Sequence, residues 1–174
     1  MSNAASSETG STEQFLTFIL GDEEYGVDIL RVREIRGWEP VSRIPNVPAY
    51  EKGVINLRGA IVPIVDLRER FGLSSADYTP LTVVIVLQLH QEDRKPIVGF
   101  VVDQVSDVVN VNGSMTHPSP EFGVGLNTRF LRGLATVGSR MVMLLDPDKV
   151  MHHNPKLQDE SEAAFEPRTS ATRQ

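Results

Sequence analysis

The chain has 174 residues, 40% of them hydrophobic, and a net charge of −6. A fold of this length removes roughly 70% of its extended-chain surface from water, which suits one domain or two small halves sharing a core. The acidic balance argues against a nucleic-acid backbone as the main partner. Aromatics at 6% are too few for a base-stacking platform, and the absence of cysteine removes disulfides, thiolate ligands and thiol nucleophiles.

Residues 1–12 are Ser-rich, without Lys, Arg or an apolar centre, which is not the pattern of a secretory signal. Like the polar stretch 153–174, they read as a disordered tail. The best apolar run, Leu81–Leu89, is interrupted by Thr82 and Gln88 and falls short of the roughly 18 residues of a membrane span. The chain therefore reads as soluble, with one folded region over 13–152.

Within that region the pattern is short strands and tight turns. Gln14–Leu20 and Glu24–Ile29 flank Gly21-Asp22-Glu23, a hairpin signal. The mixed spacing of Ile29, Leu30, Val32 and Ile35 predicts one helical turn leading into a strand. Gly37 to Pro48 carries three prolines and reads as an irregular loop. Lys52–Leu67 then reads as two buried strands joined by Arg58-Gly59, with Asp66 starting a short helix. Asp66-Leu67-Arg68-Glu69 has the form of a capping box, and Gly72 fits a C-terminal stop.

The second half opens with valine-rich strands at Leu81–Leu89 and Ile97–Val102, separated by the polar loop His90–Lys95. Val105 to Val111 continues the strand character, and Gly113 to Leu126 is broken by Pro and Gly. Leu131–Val137 and Arg140–Leu145 predict a hairpin around Gly138-Ser139. A last helix follows, with Pro147 at its first position, where the missing N–H costs nothing. Leu57-Arg58-Gly59 and Leu131-Arg132-Gly133 each precede a strand and a short helix, so Leu57–Asp66 is matched to Leu131–Asp146 as an internal echo. Short strands at close spacing with Gly/Pro turns predict small barrels.

Residues able to carry chemistry are sparse. Gly123-Val124-Gly125-Leu126-Asn127-Thr128 lacks the third glycine and the strand-to-helix setting of a dinucleotide loop, and no Walker lysine, nucleophile elbow or HExxH helix occurs. Of the four histidines, His152 and His153 are adjacent and would face apart on regular structure, which argues against a metal site. Asp66 and Asp146 could form the acid/base pair of a hydrolase, or each could simply cap a helix. Arg58 likewise reads either as a solvated turn residue or as a functional group at the tip of a nearly apolar hairpin.

Gly26–Ile35 (GVDILRVREI) and Lys52–Arg68 (KGVINLRGAIVPIVDLR) carry a specific likeness, continued by Thr82–Leu87, Val98–Asp103, Val105–Val108 and Pro120-Glu121-Phe122. In these motifs the chain resembles the CheW family of bacterial chemotaxis coupling proteins over most of its length. The resemblance implies a mostly β fold of two SH3-like barrels packed around a shared apolar seam, with short helices. It also implies no catalysis and no cofactor or metal. The implied partners are the regulatory domain of the histidine kinase CheA, itself of this fold, and the cytoplasmic tip of methyl-accepting chemoreceptors. Nucleic acid and direct membrane insertion are not implied, and the protein would sit in the cytoplasm, associated with receptor arrays at the inner membrane.

By the same resemblance the binding residues are Ile29, Val32, Val83, Val105 and Val108 in a groove between the barrels, Glu34 and Arg58 as a polar pair beside it, and Gly53 and Asn56 shaping the hairpin. Ordinary core packing is the competing reading for each valine. Alternatives to the receptor–kinase adaptor are a truncated CheV-type adaptor, since the stretch after Val150 is too short for a receiver domain, and the coupling protein of a pilus-motility or other chemosensory pathway.

Overall fold

The computed structural model describes residues 12–74, 77–91, 93–118 and 128–152. Both tail segments expected to be disordered, apart from Thr12, lie outside these residues, as do Glu92, Pro120-Glu121-Phe122 and Gly123–Asn127. Eleven strands occur among the described residues: β1 (Glu13–Leu20), β2 (Glu23–Asp28), β3 (Val32–Gly37), β4 (Glu51–Leu57), β5 (Ala60–Asp66), β6 (Val83–Gln88), β7 (Ile97–Val102), β8 (Gln104–Val111), β9 (Thr116–His117), β10 (Leu131–Val137) and β11 (Arg140–Leu145). Two short helices, α1 (Leu67–Arg70) and α2 (Pro147–His152), follow β5 and β11.

The strands form two sheets, ordered β8-β1-β2-β11-β10-β9 and β3-β6-β7-β5-β4. Each is built around one hairpin, β1–β2 or β6–β7, to which a strand of a second hairpin adds in parallel: β11 beside β2, and β5 beside β7. The chain changes sheet after each of these first hairpins, so β3 leaves β2 for the second sheet and β8 leaves β7 for the first. Each barrel therefore combines strands from both halves of the sequence. The second sheet closes on itself: Ser42, beyond β3 on one edge, bridges to Val54 on β4 at the other. The result is the predicted pair of SH3-like barrels, here called barrel A (first sheet) and barrel B (second).

Side-chain alternation divides the apolar residues into three cores. Phe15, Val109, Val111, Ala135, Val142 and Leu144 fill barrel A, and Leu57, Val62, Ile64, Val84, Val86 and Val101 fill barrel B. The largest core lies between them, where Leu16, Phe18, Leu20 and Val27 of the first sheet meet Ile85, Leu87, Phe100 and Val102 of the second. Across it runs an aromatic chain from Phe18 through Tyr25 and Phe71 to Phe130, with ring centroids 5.8, 5.6 and 5.3 Å apart. Folding therefore couples the barrels, because neither half can bury its seam face alone.

Two ion pairs of opposite polarity brace this joint. Arg31, beyond β2, reaches Asp148 of α2 at 2.9 Å and the Gln88 carbonyl at 3.3 Å. Asp103, beyond β7, accepts from Arg68 Nε of α1 at 2.8 Å and from the Gly21 N–H.

The helices stop and start as the sequence predicts, with one difference. Asp66 accepts from the N–H groups of Arg68 and Glu69, but Glu69 does not reach back; it pairs with Lys52, and the Asp66 N–H donates to the Tyr50 carbonyl. At the other end Gly72 is left-handed (φ 76°), and the N–H groups of Gly72 and Leu73 donate to the carbonyls of Glu69 and Arg68, a Schellman closure. The tripeptide echo is not a structural one. Arg58-Gly59 forms the β4–β5 turn, whereas Arg132-Gly133 lies at the start of β10, and the matching turn is Gly138-Ser139. The counterpart of Gly133 is Gly53: each sits at the bulge that opens its hairpin, opposite Leu144 and Ile64.

Candidate functional site

Four of the predicted groove residues gather at one place. Ile29, Val32, Val83 and Val105 are half-buried and pack against the core between the barrels. Ile29 sits in a single 3-10 turn, Ile29–Arg31, capped by the Asp28 carboxylate, which accepts from the Leu30 N–H at 2.9 Å. This turn steers the chain from barrel A to barrel B. Val32 lies opposite Leu87 on β6, Val83 opposite Val102, and Val105 opposite Phe18.

Val108 joins the same face through a β-bulge. Phe18 opposes Val105 and Leu16 opposes Val108, so β8 gains one residue over β1, and residues three apart point the same way. The fully buried Thr17 hydroxyl fills the bulge, accepting from the Asp107 N–H at 3.0 Å and donating to its carbonyl at 3.2 Å. Val108 remains 45% exposed.

Strand β3 repeats the device. Its bulge between Val32 and Glu34 places Val32 opposite Leu87 and Ile35 opposite Ile85, again residues three apart on the seam face. Ile35, also 45% exposed, is thus the counterpart of Val108, and sequence reasoning missed it. Its equivalence to Val108 was the available signal, hidden because a bulge breaks the period of two. Leu30, 84% exposed beside Ile29, was also missed.

The polar residues form a second group on barrel B. Glu34 lies opposite Val86, on the barrel face of β3 rather than its seam face, and pairs with Arg58 at 3.2 Å. The pair spans the two edges of the sheet where the barrel closes. Asn56 Oδ1 accepts from the Gly59 N–H at 2.9 Å and ties the β4–β5 turn. Gly53, at φ 147°, is contacted so closely that a Cβ there would lie 2.2 Å from the Ser42 carbonyl oxygen. The site therefore has two parts joined by β3: an apolar seam rim and a polar hairpin tip.

Arg58 is the unusual member. With Gly59 it makes a two-residue turn with positive φ at both positions, 51° and 90°. Such turns favour Asn or Gly first, and holding a residue that carries a Cβ left-handed costs roughly 1–2 kcal/mol. Its side chain is 79% exposed, so the pair with Glu34 returns at most about 1 kcal/mol.

The hydrolase reading fails on geometry. Asp66 caps α1 and also accepts from the Tyr78 hydroxyl at 2.7 Å, while Asp146 caps α2 through the Asp148 N–H at 3.0 Å. Burial, with the hydrogen bond to Asp66, pushes the Tyr78 phenol far above its ordinary range. Among the described residues no group of three or more His, Asp or Glu side chains is placed to hold a metal, and no helix is long and apolar enough to cross a membrane.

The CheW-like domain family matches residues 14–154. The chain belongs to the CheW family. It is 50% identical over 139 residues to the chemotaxis protein CheW of Klebsiella aerogenes, covering 80% of this chain and 81% of that protein. To the probable chemotaxis protein CheW of Rhizobium etli it is 41% identical, over 94% of this chain and 100% of the other. Among solved structures, the scaffolding protein TtCheW from Thermoanaerobacter tengcongensis is similar with a TM-score of 0.73 and 28% identity, covering 82% of this chain and 94% of that one. The two-barrel CheW fold and the bulged strands β3 and β8 thus belong to one framework, on which the rim residues and Arg58 are displayed.

Proposed function

We propose that this chain is a non-enzymatic adaptor that couples methyl-accepting chemoreceptors to the histidine kinase CheA, held in receptor arrays at the inner membrane by its partners. The relatives named for chemotaxis, and the one named as a scaffolding protein, support this reading. The observation that carries it is Arg58: an exposed guanidinium kept in a costly backbone conformation that folding does not require. The helical tip of the receptor docks against the branched side chains of Ile29, Val32, Val83, Val105 and Val108, and Ile35 extends this rim. Glu34 and Arg58 supply the polar part of the contact, with Gly53 and Asn56 fixing the hairpin that carries them.

Two variants test the reading. Arg58→Glu removes an exposed pair and should leave the melting curve within about 1 kcal/mol of wild type. A partner that covers the hairpin desolvates the charge, so mispairing there should cost roughly 2–5 kcal/mol of binding. Val108→Asp places a charge on the rim at a residue that is 45% exposed, a cleaner probe than Val105, which packs against the core. Both variants should melt almost normally yet abolish receptor-dependent activation of CheA in a reconstituted assay. Wild-type activation by Arg58→Glu, or its unfolding, would make the arginine idle or structural and overturn the assignment.

A further inference from the structure

The loop between β3 and β4 borders an open-sided cavity of about 440 Å³, apart from the seam rim. One of its walls is aromatic: the rings of Trp38 and Tyr78 pack on each other, 4.2 Å apart and tilted by 49°. Both are fixed in place. The Trp38 backbone N–H donates to the Thr82 carbonyl at 3.1 Å and its ring packs against the barrel B core, while the Tyr78 hydroxyl is held by Asp66. Prolines 40 and 48 stiffen the loop around them.

Glu51, at the start of β4, lines the same cavity and is half-buried, yet its carboxylate makes no hydrogen bond or ion pair among the described residues. Burial pushes its carboxyl above the usual carboxylate range. The neighbouring cation, Lys52, is committed to Glu69, and Arg43 stands exposed at the rim. A partly desolvated carboxylate without a protein partner, in a lining it shares with two aromatic side chains, favours a cation.

We propose that this cavity is a docking pocket for an arginine side chain presented by a protein partner, with the guanidinium against Trp38 and Tyr78 and hydrogen-bonded to Glu51. A planar guanidinium can stack on a ring while its edge donates to a carboxylate, which a compact ammonium cannot do. The lining argues for a macromolecule, because Ile44 (42% exposed) and Val47 stand there beside Pro40 and Pro48. An apolar surround of this kind excludes water from a charged anchor. The inference deepens the adaptor reading by adding a second contact. Only the source of the arginine rests on that reading, because the pocket chemistry is testable without CheA or a receptor.

Trp38 is the single tryptophan of the chain, so its emission reports on this pocket alone. The full-length protein is titrated with N-acetyl-arginine amide and, in parallel, with the uncharged isostere N-acetyl-citrulline amide. A saturable emission change with the arginine probe only is expected, weakened about tenfold or more in Glu51→Gln, the loss typical of removing a charged hydrogen-bond partner. Glu51→Gln should melt at or above the wild-type temperature, because it removes an unpaired carboxylate from a partly buried site. Equal responses to both probes, no response, or an unchanged affinity in Glu51→Gln would overturn the proposal. So would an emission change produced by Arg43→Gln alone, which would make Arg43 the resident occupant. The comparison of the two probes uses the wild-type protein and stands whatever the variants do.

Discussion

The hairpins β4–β5 and β10–β11 occupy equivalent places in the two barrels, and each leads into a short Asp-capped helix, yet they turn by different means. In barrel A the left-handed position is taken by Gly138 at φ 62°, with open space around it. In barrel B it is taken by Arg58, and Asn56 must tie the turn through the Gly59 N–H. The same fold is thus obtained at one end by the residue the backbone prefers, and at the other by one it resists. The difference separates what folding needs from what it tolerates. Glycine at Gly138 is sufficiently explained by the turn, whereas the turn alone does not explain the arginine at Arg58.

The bulges that open these hairpins sharpen the comparison and carry the largest expected effect. Gly53 has φ 147°, and a Cβ there would stand 2.2 Å from the Ser42 carbonyl oxygen, where the barrel B edges meet. Its counterpart Gly133 has no left-handed φ, and the nearest atom to its Cβ would be the His117 carbonyl oxygen of β9 at 2.9 Å. Gly53→Ala should therefore cost more than about 4 kcal/mol, because backbone must move against a strained φ. Gly133→Ala should cost roughly 1–2 kcal/mol, since a two-residue edge strand can give way. Denaturant melts of both measure this; equal losses would show that barrel closure at Ser42 and the β9 edge are energetically alike.

The braces between the halves allow a second comparison, of intermediate size. Burial alone would raise the Asp148 carboxyl, but hydrogen bonds from Arg31 and the His90 N–H, with the guanidinium charge, outweigh it and hold the group below its usual range. A carboxyl depressed in the folded state adds stability that is present above its unfolded pKa and lost as pH falls through the folded one. Arg31→Ala should thus cost roughly 1.5–3 kcal/mol at neutral pH, and the cost should shrink as pH falls through the Asp148 titration. Thermal melts over an acid pH series would test this. A loss that stays constant down to low pH would mean that Arg31 acts by packing and by its bond to Gln88, not through Asp148.

How much of this was legible in the sequence follows from which interactions are local. Hairpin boundaries were readable because Gly21-Asp22, Arg58-Gly59 and Gly138-Ser139 punctuate runs with alternating or continuous apolar residues. Both helix starts were readable because an Asp N-cap acts within three residues. The exchange of β3 and β8 between barrels was not, since partner choice is settled by seam residues far apart in sequence. Tripeptide matching misled for a related reason: Gly133 corresponds to Gly53 by register, while Leu-Arg-Gly points to the turn. In the candidate site, Val32 and Val105 were nameable by family likeness, but Ile35 emerges only when both bulges are seen to set residues three apart on one face. Glu51 gave no signal, because its isolation depends on where Lys52 and Arg43 end up.

The smallest effect bears most directly on the hairpin comparison. Arg58→Gly gives barrel B the left-handed residue that barrel A already has. It relieves roughly 1–2 kcal/mol of backbone strain, loses at most about 1 kcal/mol with the exposed Glu34 pair, and concedes some entropy because the unfolded chain gains freedom at a glycine. These contributions nearly cancel, so the melting temperature should shift by no more than about 4 °C in either direction for a chain of this size. Function should not cancel in this way. If the arginine is kept for a partner, Arg58→Gly fails in receptor-dependent kinase activation as Arg58→Glu does, although its turn is now as relaxed as that of Gly138. Full activation by the glycine variant would show that the turn geometry, and not the guanidinium, is what the partner requires.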